Sequence, residues 1–505
     1  MQHLLAYDLG TGGNKASLYD AEGKLIASTF HAYETLYPHS GWHEQRPNDW
    51  WNAIVQSTRE LLEKSDVAPE SIAALAISGH SLGCVPLDAS GELLLEATPI
   101  WSDSRPAEQA DWFFQTQGVD AEKWYSTTGN GFPAPHYTLF KLLWYRQNEP
   151  AMFDKLAKFV GTKDYINYRM TGRIATDFSY ASGCGAYDLT AWDYCDAFLD
   201  AADLSRDIFP ELLPSTEVLG PLTAEAAAEL GLPQSVQVIA GGVDNSCMAL
   251  GARNTAPGRL YASLGSSSWI AVSDTKPLLD VKTKPYVFTH VIPEMFTSAI
   301  GVFSTGTAMR WVRDVMCRDL TAKAEQTGKN VYELMCDEAA DSPVGAKGLL
   351  FNPSLAGGSS LEPSSAMRGG LLRVDLLHSR ADVIRATLEG VALNLRKALD
   401  ALRQLSQLDE KMTIVGGGSL SPLWRSIYAS AFGMNVERTN IGQEAAALGA
   451  AALAAVGAGV WSDFSQVDVA VQTDQVVAPE PEAAAKYDAL LPAFCRTAEM
   501  LAELA

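Results

Sequence analysis

The chain opens on an apolar run, Leu4-Leu5-Ala6-Tyr7, that reaches Asp8 and passes through Leu9 into Gly10-Thr11-Gly12-Gly13. A second run, Ala16-Ser17-Leu18-Tyr19, follows before the turn Asp20-Ala21-Glu22-Gly23. Two short apolar runs joined by a glycine-rich turn predict a β-hairpin. The same grammar returns half a chain later, where Leu260 to Leu264 is followed by Gly265-Ser266-Ser267-Ser268 and then by Trp269-Ile270-Ala271-Val272. A repeat at that spacing predicts two domains of one ancestry facing each other.

Between the hairpins, Trp50, Trp51, Ile54, Val55, Leu61 and Leu62 recur at helical spacing. Residues 72–78, 85–87, 97–100 and 236–240 read as short strands. Residues 139–145 predict a helix, and the aromatic-rich stretch 189–213 also reads as helical core. Beyond the second hairpin, 349–351 and 412–415 read as strands, and a helix opens at Pro422. Ser379-Arg380-Ala381-Asp382 has the form of a capping box. It opens a helix with Val383, Ile384, Leu388, Val391, Leu395, Leu399 and Leu402 inward. Residues 445–461 carry no charge but are mostly Ala and Gly, and they fall short of the ~20 strongly apolar residues of a membrane span. A buried, closely packed helix is expected there. The Ala- and Pro-rich C-terminal stretch reads as helices that close the second domain.

Several of these turns carry candidate chemistry. Glycines at the hairpin turns bring backbone N–H groups close to a phosphate oxygen, where a Cβ would clash. An ordinary hairpin turn is the alternative. Two such turns across a cleft would grip a nucleoside triphosphate. Asp8, at a strand end, suits a hard cation riding on the phosphates. Asp244 follows a strand and Gly241-Gly242-Val243 and lies at the head of a helix expected from 247 to 250. It reads equally as a base that takes the proton of a hydroxyl nucleophile or as a helix N-cap. Asp103 reads as an acceptor for a ligand's hydroxyls, held by Arg105, or as one half of a structural pair with it. His80, in the turn Gly79-His80-Ser81-Leu82-Gly83, reads as a ligand contact or as a partner of the turn's own backbone. Residues 129–137 form a Gly/Pro-rich loop, and Tyr137 or His136 is expected to border the ligand pocket.

Composition narrows the partners. At 505 residues the chain exceeds one core, so two domains are expected, 1–252 and 253–505, meeting at the turn-rich Asn254-Thr255-Ala256-Pro257-Gly258. A net charge of −22 and a pI near 4.8 argue against nucleic acid and anionic membrane as partners. Seven scattered cysteines without a C-x-x-C favour free thiols in a reducing, cytoplasmic compartment and no zinc site. The first strand begins almost at Met1, and no signal peptide is expected.

Asp8-Leu9-Gly10-Thr11 and its echo Leu264-Gly265-Ser266 resemble the two phosphate motifs of the actin/hexokinase/Hsp70 ATPase superfamily. Within it the chain resembles the FGGY carbohydrate kinases, the xylulokinase branch above all. The landmarks run through nearly the whole chain. They are Gly41-Trp42-His43-Glu44-Gln45 before Asp49-Trp50-Trp51, then Trp101-Ser102-Asp103-Ser104-Arg105, Lys163-Asp164-Tyr165 and Thr176-Asp177-Phe178-Ser179. Gly241-Gly242-Val243-Asp244-Asn245, Leu388-Glu389-Gly390-Val391-Ala392 and Gly416-Gly417-Gly418-Ser419 complete the series. Where the branch usually reads Gly-Gln-Met-His-Gly, this chain has Gly79 to Gly83 with His80, Ser81 and Leu82 inside.

The resemblance implies an α/β protein of two ribonuclease H-like domains flanking a central cleft, the first mainly for sugar and the second mainly for nucleotide. It implies an ATP-dependent kinase of a ketopentose, D-xylulose first, with ATP and Mg²⁺ as cofactors. A kinase for another small polyol or hydroxy-ketone is the alternative, and a non-catalytic ATP-binding regulatory protein is the alternative of another class. Asp244 is then the catalytic base. His80, Ser81, Asp103, Tyr137, Asp244 and Asn245 would bind the acceptor, and Asp8 the metal. Gly10, Thr11, Lys15, Gly265, Ser266, Gly306, Arg310, Gly417 and Gly418 would bind the nucleotide. The expected partner is a small sugar or polyol, and a homodimer is compatible with this reading.

Overall fold

The structure, a computed structural model, describes residues 2–131 and 133–505. Met1, named in the signal-peptide expectation, and Phe132, inside the 129–137 loop, lie outside the described residues. Both predicted hairpins form, and each sits inside a seven-stranded mixed sheet.

The first sheet contains β1 (His3–Gly10), β2 (Gly13–Asp20), β3 (Leu25–Ala32), β4 (Ile72–Gly79), β5 (Val218–Pro221), β6 (Gln237–Ile239) and β7 (Gly242–Val243). Its order is β5-β6-β4-β1-β2-β3, with β7 also beside β4. The second contains β8 (Leu260–Leu264), β9 (Ser268–Asp274), β10 (Tyr286–Thr289), β11 (Phe296–Val302), β12 (Lys411–Val415), β13 (Asn435–Thr439) and β14 (Thr473–Val477). Its order is β10-β11-β9-β8-β12-β13-β14. In each sheet the hairpin's first strand pairs antiparallel on one side and parallel on the other. The sequence echo is thus an echo of topology.

β1 reads as a nearly continuous apolar run because both of its faces are covered, as in parallel α/β sheets. Leu5, Tyr7 and Leu9 point to α1 (Pro47–Ser65), where Trp50, Trp51, Ile54 and Leu61 meet them. Further along the chain come α2 (Thr138–Asn148), α3 (Thr162–Thr171) and α4 (Asp244–Gly251) in the first half, and α5 (Gly306–Met316) and α6 (Arg380–Leu405) in the second. The capping box at Ser379 and Asp382 opens α6 as the sequence predicts.

On the other face, Leu4 and Ala6 meet α7 (Ala445–Gly457), the charge-free helix. α7 packs with residues of both sheets, Tyr261, Ala271 and Val415 of the second among them, so the two halves share one core through it. It crosses α4 at reciprocal glycines. A Cβ on Gly251 would overlap the Ala445 carbonyl oxygen, and one on Gly449 would overlap the Cys247 carbonyl oxygen. Among the described residues no helix is long and apolar enough to cross a membrane.

Three expectations change. The stretch 189–213 is not one helix: it holds a short hairpin (Tyr187–Asp188 with Asp193–Tyr194), a helix of only Asp196–Ala202, and a strand, Glu211–Leu213. Asp188 Oδ1 draws in the Thr190 and Ala191 N–H groups, and Trp192 and Asp203 take left-handed backbone angles that break the helical path. The C-terminal stretch is not all helix, since β14 pairs antiparallel with β13 as an edge strand. The helix expected from 247 begins instead at Asp244.

Candidate active site

β1, β4 and β7 run parallel and end side by side. Asp8 lies in register with Ser78, and Gly242 with the same Ser78 from the other edge. One residue further, Gly79 partners Val243, and the chain then reaches Asp244 in the first turn of α4. The carboxyl ends of parallel strands are where α/β proteins build their sites. Two carboxylates therefore emerge there, one strand apart.

The helix N-cap is Val243, and Asp244 makes no capping bond. Among the described residues, its Oδ1 accepts the neighbouring Asn245 N–H, at 2.8 Å. Burial pushes its carboxyl up to about 7, the Asn245 N–H opposing and the Asp8 charge adding to the rise. Asp8 accepts a bond from Ser78 Oγ at 3.4 Å. Burial lifts it to about 6 against the attraction of Lys15, while Glu444 adds to the rise. Lys15 faces Asp8 across the hairpin, and its ammonium lies 3.1 Å from Glu444 Oε1. Glu444 stands just ahead of α7 and escaped the sequence reading. Its one signal was a carboxylate at the head of a charge-free run.

The first glycine turn is fixed by side chains that take its oxygens. Gln45 Nε2 donates to the Thr11 carbonyl at 2.7 Å and Trp101 Nε1 to the Thr11 hydroxyl at 2.8 Å, while the Tyr33 hydroxyl donates to the Gly10 carbonyl. None of these bonds uses the Thr11 or Gly12 N–H.

The second turn is docked on α5. Gly306 N donates to the Gly265 carbonyl at 3.0 Å and Thr307 N to the Ser266 carbonyl at 3.1 Å. A Cβ on Gly306 would lie 2.7 Å from the Gly265 oxygen, so glycine permits the contact. Arg310 reaches the Ser266 hydroxyl at 3.5 Å. The triglycine turn after β12 lies against the same strand end. A Cβ on Gly418 would stand 2.9 Å from Leu264 Cβ, and one on Gly417 would meet nothing nearer than 3.8 Å. Gly265, Ser266, Gly306, Arg310, Gly417 and Gly418 thus gather around the end of β8.

On the acceptor side the structure divides the expected residues. Asp244 and Asn245 are half-buried at the strand ends, and half-buried Ser81 lies in the loop that leaves β4 beside them. The Asn245 carbonyl accepts from the Tyr261 hydroxyl of β8 at 3.4 Å, which sets this pair against the second sheet. His80, Asp103 and Tyr137 are placed behind the surface instead. The His80 ring is 1% exposed, edge-on to Trp50, with Nδ1 3.4 Å from Thr162 Oγ1, and burial lowers it to about 4. Asp103 is fully buried. Its oxygens take the His43 N–H at 2.8 Å and a fork of bonds from Arg105, the arrangement of a structural pair. The Tyr137 ring packs edge-on to Trp124 within an aromatic cluster.

A second group, noticed in the sequence only as landmarks, backs the Asp244 turn. Lys163 Nζ lies 2.5 Å from Asp164 Oδ1, 2.8 Å from Asp177 Oδ1 and 3.1 Å from the Ala240 carbonyl, all fully buried. Asp177 Oδ2 accepts from Ser215 Oγ at 2.7 Å and from the Ser179 hydroxyl. Ser179 Oγ in turn accepts the Val243 N–H at 3.0 Å. The residue before Asp244 is held by a chain of bonds that ends on a buried ammonium.

Comparison with known proteins matches this geometry to a family. Residues 3–251 match the FGGY family of carbohydrate kinases, N-terminal domain, and residues 260–458 match the C-terminal domain of that family. A xylulose kinase of Bacillus subtilis is 29% identical over 469 residues, 92% of this chain and 90% of its own. A gluconokinase of Bacillus licheniformis is 26% identical over 504 residues, 99% of this chain and 96% of its own. The crystal structure of a ligand-bound xylulose kinase from Lactobacillus acidophilus superposes with a TM-score of 0.90 at 25% identity, covering 99% of both chains.

Proposed function

Since this chain belongs to the FGGY family of carbohydrate kinases, and is thus a phosphotransferase, we propose that it moves the γ-phosphate of ATP to a hydroxyl of a ketopentose, D-xylulose first. The observation that carries the reading is Asp244. It is a carboxylate at the parallel-strand ends with no capping duty and a proton affinity raised to about 7 by burial. A base poised near the operating pH is matched to taking a hydroxyl proton.

In this reading Asp244 accepts the proton of the attacking hydroxyl as its oxygen bonds to the γ-phosphorus. The bond from that phosphorus to the bridging oxygen of ADP breaks, and ADP leaves. Asn245 and Ser81 orient the acceptor. Thr11, Gly10 and Lys15 approach the phosphates from residues 1–252, and Gly265, Ser266 and Arg310 from residues 253–505. The nucleoside lies on Gly417 and Gly418, with Gly306 at the turn beside it. Mg²⁺ takes one or two carboxylates together with phosphate oxygens and water, and it would neutralise charge on the phosphates. Asp8, with a single side-chain bond at 3.4 Å, has the free oxygen such an ion needs. Closure of the cleft excludes water, so phosphate is not lost to hydrolysis. The cytoplasm, with its ATP and reduced thiols, is the proposed compartment.

A second acceptor class has support. The gluconokinase relative spans nearly the full chain, and Ser81 and Leu82 stand where the xylulokinase branch has Met and His. The test is ADP release with D-xylulose, D-gluconate and a panel of ketoses and polyols, wild type beside Asp244→Ala. Stimulation by D-xylulose that the variant loses supports the first reading. Stimulation by D-gluconate alone moves the acceptor to an aldonate.

A further inference from the structure

A row of donors on α2 grips the loop that leaves β4. Lys141 Nζ donates to the Leu82 carbonyl at 2.7 Å, Thr138 Oγ1 to the Gly83 carbonyl at 3.3 Å, and the Tyr145 hydroxyl to the Cys84 carbonyl at 3.2 Å. Positions 138, 141 and 145 share one helix face, and they capture three consecutive carbonyls. Lys141 reaches further, for its Nζ also donates to the Ile100 carbonyl at 2.7 Å. Ile100 precedes Trp101, whose indole holds the Thr11 hydroxyl of the first glycine turn. One ammonium therefore ties the Ser81 loop to the loop that rests on the phosphate turn.

Two features say that this tie has a use. Lys141 is 1% exposed and both of its acceptors are carbonyls, so it is desolvated without a carboxylate in direct contact. Burial lowers its ammonium to about 7, with Asp103 favouring the charge. An apolar residue would avoid that desolvation cost. In addition Leu82 sits at φ 60, in the left-handed region that a leucine rarely occupies. Its carbonyl is one of the two that Lys141 holds, so the bond opposes relaxation of the turn that carries Ser81.

We propose that Lys141 is a positioning residue for acceptor recognition: with Thr138 and Tyr145 it sets the shape of the 79–83 loop, and through Ile100 it ties that loop to the one that carries Trp101. This rests on the reading that the acceptor lies against Ser81. Loss of the clamp lets Leu82 return to negative φ and moves Ser81 away from the side of Asp244.

The experiment compares wild type, Lys141→Met and the double variant Thr138→Val/Tyr145→Phe. It reads kcat, KM for acceptor, KM for ATP, and amide hydrogen exchange of 79–84 and 100–104. Lys141→Met is expected to raise KM for the acceptor at least tenfold and KM for ATP less than threefold. Both loops should exchange at least tenfold faster, while α4 is unchanged. The double variant, which keeps the ammonium, should shift the same quantities by a few-fold and carries the test if Lys141→Met does not fold. Equal rises in both KM values, or unchanged exchange in the two loops, overturn the clamp. A wild type that no acceptor stimulates overturns the acceptor reading itself, whatever the loops do.

Discussion

Lys15 Nζ lies 3.1 Å from Glu444 Oε1, an ion pair that joins the first hairpin to the head of α7 across 429 residues. Lys15 also faces Asp8 across the hairpin, and its charge favours the Asp8 carboxylate while Glu444 opposes it. The pair therefore sits at the join between the two halves of the chain, and its two charges act in opposite directions on the proposed metal ligand, whose rise comes first from burial. Both side chains are about a quarter exposed, so the pair itself is worth about 0.5–1 kcal/mol.

A double-mutant cycle with Lys15→Met and Glu444→Gln should give a coupling of about 0.5–1 kcal/mol in denaturant unfolding. The functional effects should separate. Lys15→Met removes a cation from the phosphate turn and should raise KM for ATP about tenfold, in line with the ~1.5–3 kcal/mol of a bond to a charged group. KM for the acceptor should stay within twofold. An unchanged KM for ATP would remove Lys15 from the nucleotide contacts.

Asp244→Asn should lower kcat by about 10²–10⁴-fold, the range for loss of a general base. It should also stabilise the fold, but only at the higher pH. The folded carboxyl titrates at about 7 and the unfolded one at about 4, so between those values the folded state keeps a proton that the unfolded state has released. Stability then falls as pH rises through that window, and asparagine carries no such penalty. The melting temperature of the variant should exceed that of the wild type at pH 8 and equal it at pH 4. A gain at pH 4 as large as at pH 8 would refute the burial of this carboxyl.

The same affinity predicts the acid limb of the rate profile. kcat/KM reports the free enzyme, so its acid limb should have an apparent pKa near 7, well above the ordinary carboxylate. A limb near 4 would assign proton removal to a group in water.

What the sequence made legible was local. Asp8, the two glycine turns and the Asp244 junction are each written within a dozen residues, because turn chemistry and a strand-to-helix switch are short-range effects. Distant closure was not legible. Asp103 reads as a ligand contact until His43, 60 residues earlier, is found donating to it. His80 reads as a ligand contact or a partner of its own turn until its ring is found buried edge-on to Trp50. Lys141 lies in an apolar helical run and resembles a surface position of a core helix, yet its partners are carbonyls 41 and 59 residues away. The helix expected over 189–213 failed for the opposite reason: apolar spacing was weighed there above Asp188, whose carboxylate organises a turn.

The reciprocal glycines where α4 crosses α7 make a prediction about the join. Gly449→Ala would drive a methyl into the Cys247 carbonyl on the helix that begins with Asp244. Overpacking of this kind costs about 1–3 kcal/mol. The variant should unfold at lower denaturant, and kcat should fall more than either KM changes, since the backbone of α4 must shift. Activity and stability both unchanged would mean that the crossing has room to relax.

Ser179 offers a separation of positioning from folding. Its Oγ accepts the Val243 N–H at 3.0 Å, and its hydroxyl donates to Asp177, which Lys163 neutralises at 2.8 Å. Breaking the buried pair by Lys163→Met leaves two carboxylates uncompensated and should cost about 3–5 kcal/mol, enough to endanger the fold. Ser179→Ala is gentler. It removes one acceptor and one donor, at about 1–3 kcal/mol for the orphaned N–H. The turn ahead of Asp244 loosens while the ion pair survives. The expected outcome is a roughly tenfold loss of kcat with both KM values within twofold and the acid limb of kcat/KM shifted toward lower pH, as water reaches the carboxyl. Ser179→Thr, which keeps the hydroxyl, should restore most of the rate. A variant that loses stability alone, with kcat and the pH profile intact, would reduce this network to a fold element.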